Sequence, residues 1–383
     1  MKHPYIAKRF WTEGEALSMD KDQVSRYKDL IDLSIGDMDV PTDGRIIDAA
    51  CRDAKAGHTT YGLPEGDPEL TEEICRYYQK EYGMSITPEQ VYVTASSLFG
   101  LELALFATLD PGDEVLVLSP YFVQYKGQIE IAGGRPVEVP LHAGDGYAIR
   151  REALERAVTP RTRGIIFNNP CNPTGVYYGR ETLELLADFA VRHDLLVYAD
   201  DIYTLYVFNG RFTPIRGLPG MAERTLTFNS FSKNYLMTGW RVGYVAAEPH
   251  FTHTLKQINN NIVYSAPSVS QRAAIEALRI TDSINSTYIE DYKRRVFYAA
   301  ERINAIPYLS VRPPQGTFYL FPDVTKTGLT SVAFQNQLFE RAHVLVTPGS
   351  AFGETGEGHV RIVCTASMAN LKEAFDRMER LTF

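Results

Sequence analysis

The sequence predicts an α/β fold built on a mostly parallel sheet. Three observations carry this expectation. Short, nearly unbroken apolar runs recur as far as residue 247; amphipathic helical stretches separate them; and one gap is too short for a helical crossover and marks a reversal of chain direction.

The runs cover residues 91–94, 115–119, 164–168, 195–199, 225–229 and 241–247. They are continuous rather than alternating, as strands covered on both faces require. Between the third and fourth, residues 181–193 place Leu183, Leu186, Ala187, Ala190 and Val191 on one helical stripe. Glu181, Glu184, Asp188 and Arg192 face the other way. This strand–helix–strand unit reads as a right-handed parallel crossover. The stretch from Asn229 to Arg241 is too short for one, so the strand at 241–247 is expected to run antiparallel.

Helix ends are legible too. In Asp67-Pro68-Glu69-Leu70 the aspartate can cap and the proline occupy the first helical position, while Gly83 can close the helix. After residue 265 the texture changes to long helical stretches, 268–280 and 286–305. Val311-Arg312-Pro313-Pro314-Gln315-Gly316 and a second strand-rich segment follow. The expected division is a large α/β domain over 45–280 and a smaller α+β domain formed by 1–44 and 281–383.

Composition excludes several classes. With 44% apolar residues and 11% aromatics over 383 residues the chain can bury large cores, which rules out disorder. Its 28 glycines and 21 prolines are ordinary shares, ruling out collagen-like or low-complexity chains. The net charge of −8 weighs against nonspecific binding to nucleic acid or anionic membranes. The longest apolar stretch, residues 98–109, contains Glu102 and is too short to cross a bilayer, and the first ten residues lack a signal-peptide core. Cys51, Cys75, Cys171 and Cys364 are scattered without metal or redox spacing, and His250 with His253 lacks a third ligand. A protein of the reducing cytoplasm with no bound metal is expected, with Cys171 as a small filler.

In open α/β sheets, ligands bind beyond the carboxyl ends of the strands. Following each run in turn gives Ser96 and Ser97; Phe122; Asn169-Pro170-Cys171-Asn172-Pro173-Thr174-Gly175; Asp200 and Tyr203; then Ser230, Ser232 and Lys233. Arg241 follows Thr238-Gly239-Trp240. A lysine here can condense with a carbonyl, a carboxylate can pair with a protonated ring nitrogen, and an aromatic can stack on a flat ring. Hydroxyls, helix amides and an arginine suit a phosphate dianion. Singly, each residue has a plain alternative reading: a solvated lysine, a turn acid, an Asn-Pro turn, a core phenylalanine. Together they meet the chemical requirements of pyridoxal phosphate.

These segments resemble the class I/II aminotransferases, the fold-type I pyridoxal-phosphate enzymes related to aspartate aminotransferase. The resemblance extends from Leu33-Ser34-Ile35-Gly36-Asp37 and Tyr61-Gly62 through Asp110-Pro111-Gly112-Asp113-Glu114-Val115 to His359-Val360-Arg361, nearly the whole chain. It implies a mixed, mostly parallel seven-stranded sheet flanked by helices, with a smaller α+β domain. It also implies roles. Lys233 is the Schiff-base lysine and proton shuttle, Asp200 keeps the pyridine nitrogen protonated, and Tyr203 and Asn172 hydrogen-bond the phenolic oxygen. Phe122 stacks on the ring. Ser96, Ser97, Ser230, Ser232 and Arg241 surround the phosphate, with Tyr61 reaching it from the partner of a homodimer. Arg361 grips the substrate α-carboxylate, near which Gly36 and Asn172 also lie.

The chain departs from the commonest family pattern in three places: Asp200-Asp201 where Asp-Glu is usual, Ser96-Ser97 where glycine-containing pairs are frequent, and Phe122 in place of Trp or Tyr. Gly36-Asp37-Met38-Asp39-Val40-Pro41 also resembles carbon–sulfur lyases of this fold. The expected function is amino-group transfer from an L-amino acid to a 2-oxo acid by a ping-pong route. A β-eliminating carbon–sulfur lyase is the alternative. A noncatalytic pyridoxal-phosphate-binding regulator, the alternative from another class, is disfavoured because the enzyme-like body begins almost at once.

Overall fold

The computed structural model describes residues 3, 5–7, 10 and 25–383. Its strands are β1 (Ile31–Asp32), β2 (Val91–Thr94), β3 (Glu114–Ser119), β4 (Arg135–Pro140), β5 (Thr162–Asn168), β6 (Leu196–Asp200), β7 (Thr225–Ser230), β8 (Gly243–Ala246), β9 (Tyr319–Leu320), β10 (Val344–Leu345), β11 (Thr347–Pro348) and β12 (Val360–Val363). Seven of them form one sheet in the order β2-β8-β7-β6-β5-β3-β4. Only β8 is antiparallel to its neighbours, as the short gap before it requires. The remaining pairs are parallel; α-helices cross between β3 and β4, β4 and β5, and β5 and β6, while a loop with two short 3-10 turns joins β6 to β7.

Alternation along the central strands explains why they read as unbroken apolar runs. Val115, Val117, Ile166, Tyr198, Leu226 and Phe228 pack to one side, against Leu101, Leu105 and Leu255. Leu116, Leu118, Ile165, Phe167, Val197 and Ala199 pack to the other, against Leu183, Leu186 and Phe189. Both faces are covered, so both phases of the two-residue period must be apolar.

The helix Arg180–Arg192 buries Leu183, Leu186, Ala187, Phe189 and Ala190. Each large side chain there contributes ~1.5–3 kcal/mol by leaving water, and Leu186→Ala would forfeit ~2–5 kcal/mol with the cavity it leaves. Val191, placed on the stripe by spacing, is instead 44% exposed. Phe189 takes the inner edge, its ring 4.6 Å from that of His193. The helix Pro68–Tyr82 is built as its ends predict: Asp67 accepts from the Glu69 amide, and Gly83 closes the helix at φ 66°.

Edge strand β4 is absent from the sequence reading. Its segment, Arg-Pro-Val-Glu-Val-Pro, carries two prolines and has one covered face, so it lacks the signature of the central strands. Beyond the main sheet, β12 is the centre of a three-stranded antiparallel sheet with β11 and β9, and β1 pairs in parallel with β10. The segment after β1 is tied on by Leu33 bonding to Leu345 and Val363. That brings Ser34, Ile35 and Gly36 close to the strand that carries Arg361. Among the described residues, no helix is long and apolar enough to cross a membrane.

Candidate active site

The carboxyl ends of β2, β6 and β7 and the turn into β8 enclose a cavity of about 160 Å³. Ser96, Ser97, Phe122, Asp200, Ser230, Ser232, Lys233 and Arg241 line it, together with Tyr125 and Thr238. Leu98, Leu101, Ile202 and Phe228 supply apolar wall. Eight of the residues picked out by their positions after strands therefore meet on one surface. A cleft of about 310 Å³ near Tyr147 and Arg312 shares none of these residues and holds no lysine.

Local chemistry sets each side chain. Ser96 caps the helix Ser97–Thr108 by accepting from the Phe99 amide, and it stands where β2 ends. Ser230, the last residue of β7, accepts from the Ser232 amide and starts the one-turn helix Phe231–Asn234 that carries Lys233. That turn is held from below, with Tyr206 donating to the Lys233 carbonyl and Asn234 to Thr204. Gly243 is required here: a Cβ on it would lie 2.6 Å from the Ser97 nitrogen and 2.8 Å from the Asn229 carbonyl. Its bare backbone lets β8 pass against the Ser96–Ser97 turn. Arg241 enters β8 at φ 53°, ψ 59°, a left-handed conformation that strains a residue with a Cβ by ~1–3 kcal/mol. Its Nη1 donates to the Thr238 carbonyl at 2.8 Å.

Asp200 closes β6 and is buried. The Tyr125 hydroxyl donates to its Oδ2, while Oδ1 is buried with no partner among the described residues. Burial raises the Asp200 carboxyl to about 6, against the opposing pull of the Tyr125 hydrogen bond. The neighbouring Asp201 is pushed well above the carboxylate range by burial and by Asp200 itself. Tyr125 escaped the sequence reading; its position three residues after Phe122, across one turn of chain, is the only signal it offers.

The Asn169–Gly175 loop is pinned by its own amides. Asn168 donates to the Asp200 carbonyl and accepts from the Asn172 amide at 2.7 Å, and Asn169 exchanges two bonds with the Tyr178 backbone. The Asn169–Pro170 and Asn172–Pro173 peptides are cis. This presents the Asn172 side chain to Arg361, whose Nη1 donates to Asn172 Oδ1 at 3.0 Å. That bond fixes the amide so that its nitrogen remains a donor.

Arg361 lies on β12, facing away from Val360 and Ile362. Its Nη2 donates to the Ser34 carbonyl at 2.5 Å and its Nε, also buried, has no partner among the described residues. The guanidinium sits 4.8 Å from the Tyr319 ring centre and 4.9 Å from that of Phe352. Burial lowers its proton affinity, and the groups that raise it are the phenols Tyr319 and Tyr203 rather than a carboxylate. A buried cation without a fixed counter-ion is a receptor for a mobile one.

Gly36, Tyr61, Asn172, Tyr203 and Arg361 are not among the residues lining that cavity. The Gly36 carbonyl accepts from Lys233 Nζ, and the space a Cβ would fill is taken by the Tyr319 hydroxyl, 2.2 Å away. Tyr61 is 89% exposed and packs edge-on against Tyr264, with ring centres 5.7 Å apart, away from the cavity of its own chain. Tyr203 lies beside the cavity wall, its hydroxyl 3.0 Å from that of Tyr319. Phe10 is 47% exposed, and Trp11 lies outside the described residues. Cys171 is buried, its thiol pushed up to about 11.

The family model described as "Aminotransferase class I and II" matches residues 28–378. An aspartate aminotransferase of Pyrococcus abyssi is 38% identical over 366 residues, 94% of this chain and 93% of that protein. An aromatic-amino-acid aminotransferase of Thermococcus litoralis is 37% identical over 92% of this chain and 91% of its own. The solved structure of an aromatic aminotransferase from Pyrococcus horikoshii superposes with a TM-score of 0.90 at 37% identity, covering 95% of this chain and 98% of that one. Sequence, sheet order and fold therefore agree, and this chain belongs to the class I and II aminotransferases, α/β enzymes of fold type I that transfer amino groups.

Proposed function

We propose that this enzyme uses pyridoxal phosphate to pass an amino group from an L-amino acid to a 2-oxo acid, one substrate leaving before the other enters. The observation that carries the reading is the pairing, on one cavity wall, of Lys233 with a buried Asp200 carboxylate whose Oδ1 has no partner. The residues present fit the cofactor. Asp200 Oδ1 suits a protonated ring nitrogen, Phe122 a ring face, and Ser96, Ser97, Ser230, Ser232 and Arg241 a phosphate. Lys233 is the amine that holds the carbonyl. When bound, the cofactor supplies an electron sink for the bond broken at the substrate Cα.

The chain's own groups do the rest. Lys233, once its amine is released from the carbonyl it would hold, is the base that takes the Cα proton and redelivers it. Asp200 is ionised beside a positive ring, because the added charge offsets the burial that otherwise raises it. The Asn172 amide nitrogen and the Tyr203 hydroxyl are donors for the phenolic oxygen. Arg361, already oriented by Asn172, Ser34 and two rings, takes the α-carboxylate through its remaining donors. A homodimer in which Tyr61 reaches the partner's phosphate site, and a cytoplasmic setting, complete the reading; exposure of Tyr61 beside Leu63 and Tyr264 supports the first. A division into a large domain (45–280) and a small one (1–44 and 281–383) belongs to the same reading, and the seven-stranded sheet lying wholly within residues 91–246 supports it.

The test is a panel of amino donors against 2-oxoglutarate, pyruvate and oxaloacetate, following keto-acid formation. Product formation must depend stoichiometrically on the acceptor. Keto acid released without an acceptor would establish β-elimination instead.

A further inference from the structure

Tyr319 meets Arg361, Tyr203 and Gly36, yet the reaction as described gives it no role. It is buried on β9, paired to Val363 two residues beyond Arg361. Its ring faces the Arg361 guanidinium at 4.8 Å, its hydroxyl is 3.0 Å from that of Tyr203, and that same hydroxyl fills the space above Gly36. Its backbone amide is held by the Thr317 hydroxyl at 3.0 Å, and the Tyr203 and Tyr319 rings meet nearly at right angles.

We infer that Tyr319 is a positioning residue joining the two halves of the site: its ring face fixes the plane of Arg361, and its hydroxyl fixes the direction in which Tyr203 gives its proton. The inference rests on the roles proposed for Arg361 and Tyr203 and extends them.

The argument for the hydroxyl is one of proton count. Each phenol carries one proton and accepts through its lone pairs. In the structure Tyr203 donates to Tyr319 at 3.0 Å; when the Tyr203 proton is directed instead to the cofactor's phenolic oxygen, the contact survives only by reversing, with Tyr319 as donor. A phenol that accepts such a bond is polarised and becomes the better donor, and in a buried setting this cooperativity is not diluted by water. The argument for the ring is geometric. Arg361 lacks a carboxylate partner, so two aromatic faces and three neutral acceptors are what hold its plane. Gly36 belongs to the same device: any side chain at that position would displace the Tyr319 hydroxyl.

The experiment has two arms. In the first, the midpoint of the pH titration of the bound cofactor's visible absorbance is measured for the wild type, Tyr203→Phe, Tyr319→Phe and the double variant. A donor to the phenolic oxygen favours its fully charged form, so Tyr203→Phe raises the midpoint. Tyr319→Phe should raise it by a smaller amount, about a few tenths of a pH unit, and should add nothing in the Tyr203→Phe background. No change in Tyr319→Phe, or an equal increment in both backgrounds, overturns the relay. If Tyr203→Phe itself leaves the midpoint in place, the proposed role of Tyr203 fails, and the relay with it. In the second arm, inhibition by 3-phenylpropionate, a carboxylate with no amino group, reports on Arg361. Tyr319→Phe keeps the ring and should bind within about twofold of wild type, whereas Tyr319→Leu should bind roughly 5–30-fold more weakly. Equal affinity in all three overturns the ring's part.

Discussion

Asp200 receives the Tyr125 hydroxyl on one carboxylate oxygen and leaves the other buried without a partner. In the cofactor-free chain this acid is held in a place that disfavours its charge. Moving a carboxyl from its ordinary 3.8 to about 6 corresponds to ~3 kcal/mol between protonation states. The native state binds the proton more tightly than the unfolded chain does. The stability from this group is therefore fully present below the ordinary carboxylate range and is lost as pH rises through about 6. Asp200→Asn keeps the shape without the charge. The variant's melting temperature should exceed that of cofactor-free wild type by more at pH 7 than at pH 4.5; a constant difference would refute the account.

Lys233 should carry the cofactor. Borohydride reduction of the yellow protein should fix pyridoxyl mass on the peptide containing Lys233, and Lys233→Ala should lose turnover while still binding cofactor noncovalently. Label on any other lysine removes the basis of the proposed function.

Asp200 and Arg361 should fail in opposite ways. Asp200 acts on the transition state, so Asp200→Asn should lower kcat by roughly 100-fold or more with little change in amino-acid KM. Arg361→Lys replaces a planar fork with one ammonium, and the two faces of Tyr319 and Phe352 lose their flat partner. It should raise KM strongly, about tenfold to 100-fold. Steady-state kinetics with one amino donor decides both.

Tyr61 lies away from the cavity of its own chain, and in the reading proposed above it serves the partner's site. Mixing Lys233→Ala chains with Tyr61→Phe chains should restore activity at limiting cofactor, because each heterodimer holds one intact composite site. At equal amounts the recovery should approach about a quarter of wild-type sites. An active monomer in light scattering contradicts the arrangement.

Stability of the segment bearing Tyr61 should depend on Arg272. Its guanidinium meets Asp53 at 2.7 Å, Asp67 at 3.2 Å and Glu69 at 2.7 Å, and on the same helix Gln271 accepts from the Asp67 amide while Ser268 donates to the Thr60 carbonyl. Arg272→Met leaves three carboxylates facing one another. With partial exposure taken into account the loss should be about 2–3 kcal/mol, read from urea unfolding, and a tryptic cut after Lys55 should appear. A variant as stable as wild type would show the cluster to be ornamental.

What could be read in the sequence was whatever sits on a covered strand or just after one. Asp200 and Ser230 end buried strands, Ser96 and Lys233 follow them, and Arg241 leads into one, and their continuous burial makes those strands conspicuous. The reversal at β8 was legible because chain length alone forbids a crossover. The edge strand β4 escaped because prolines and one-sided burial erase the pattern. Tyr125, Tyr319 and Phe352 escaped for another reason: their positions are set by pairings between distant segments, such as Val363 on Tyr319, which no local period records. Gly36 was noticed, though for close backbone approach to a carboxylate. Its neighbour in the structure is a phenol.

The placement of β8 between β2 and β7 has a consequence for the order of synthesis. β2 is among the first strands of the sheet to be made, but its hydrogen-bonded partner is the last. Until residue 246 has left the ribosome, the 91–94 strand has nothing in the main sheet to pair with, and its serine-capped helix cannot be brought beside the β7 turn. Five parallel strands can order themselves by successive crossovers; the sixth and seventh arrive together. Ser96, Ser97, Ser230, Ser232 and Arg241, the residues proposed above for a phosphate, are therefore brought onto one wall in a single late closure. On that reading, a nascent chain with most of its sheet formed still lacks the proposed phosphate site.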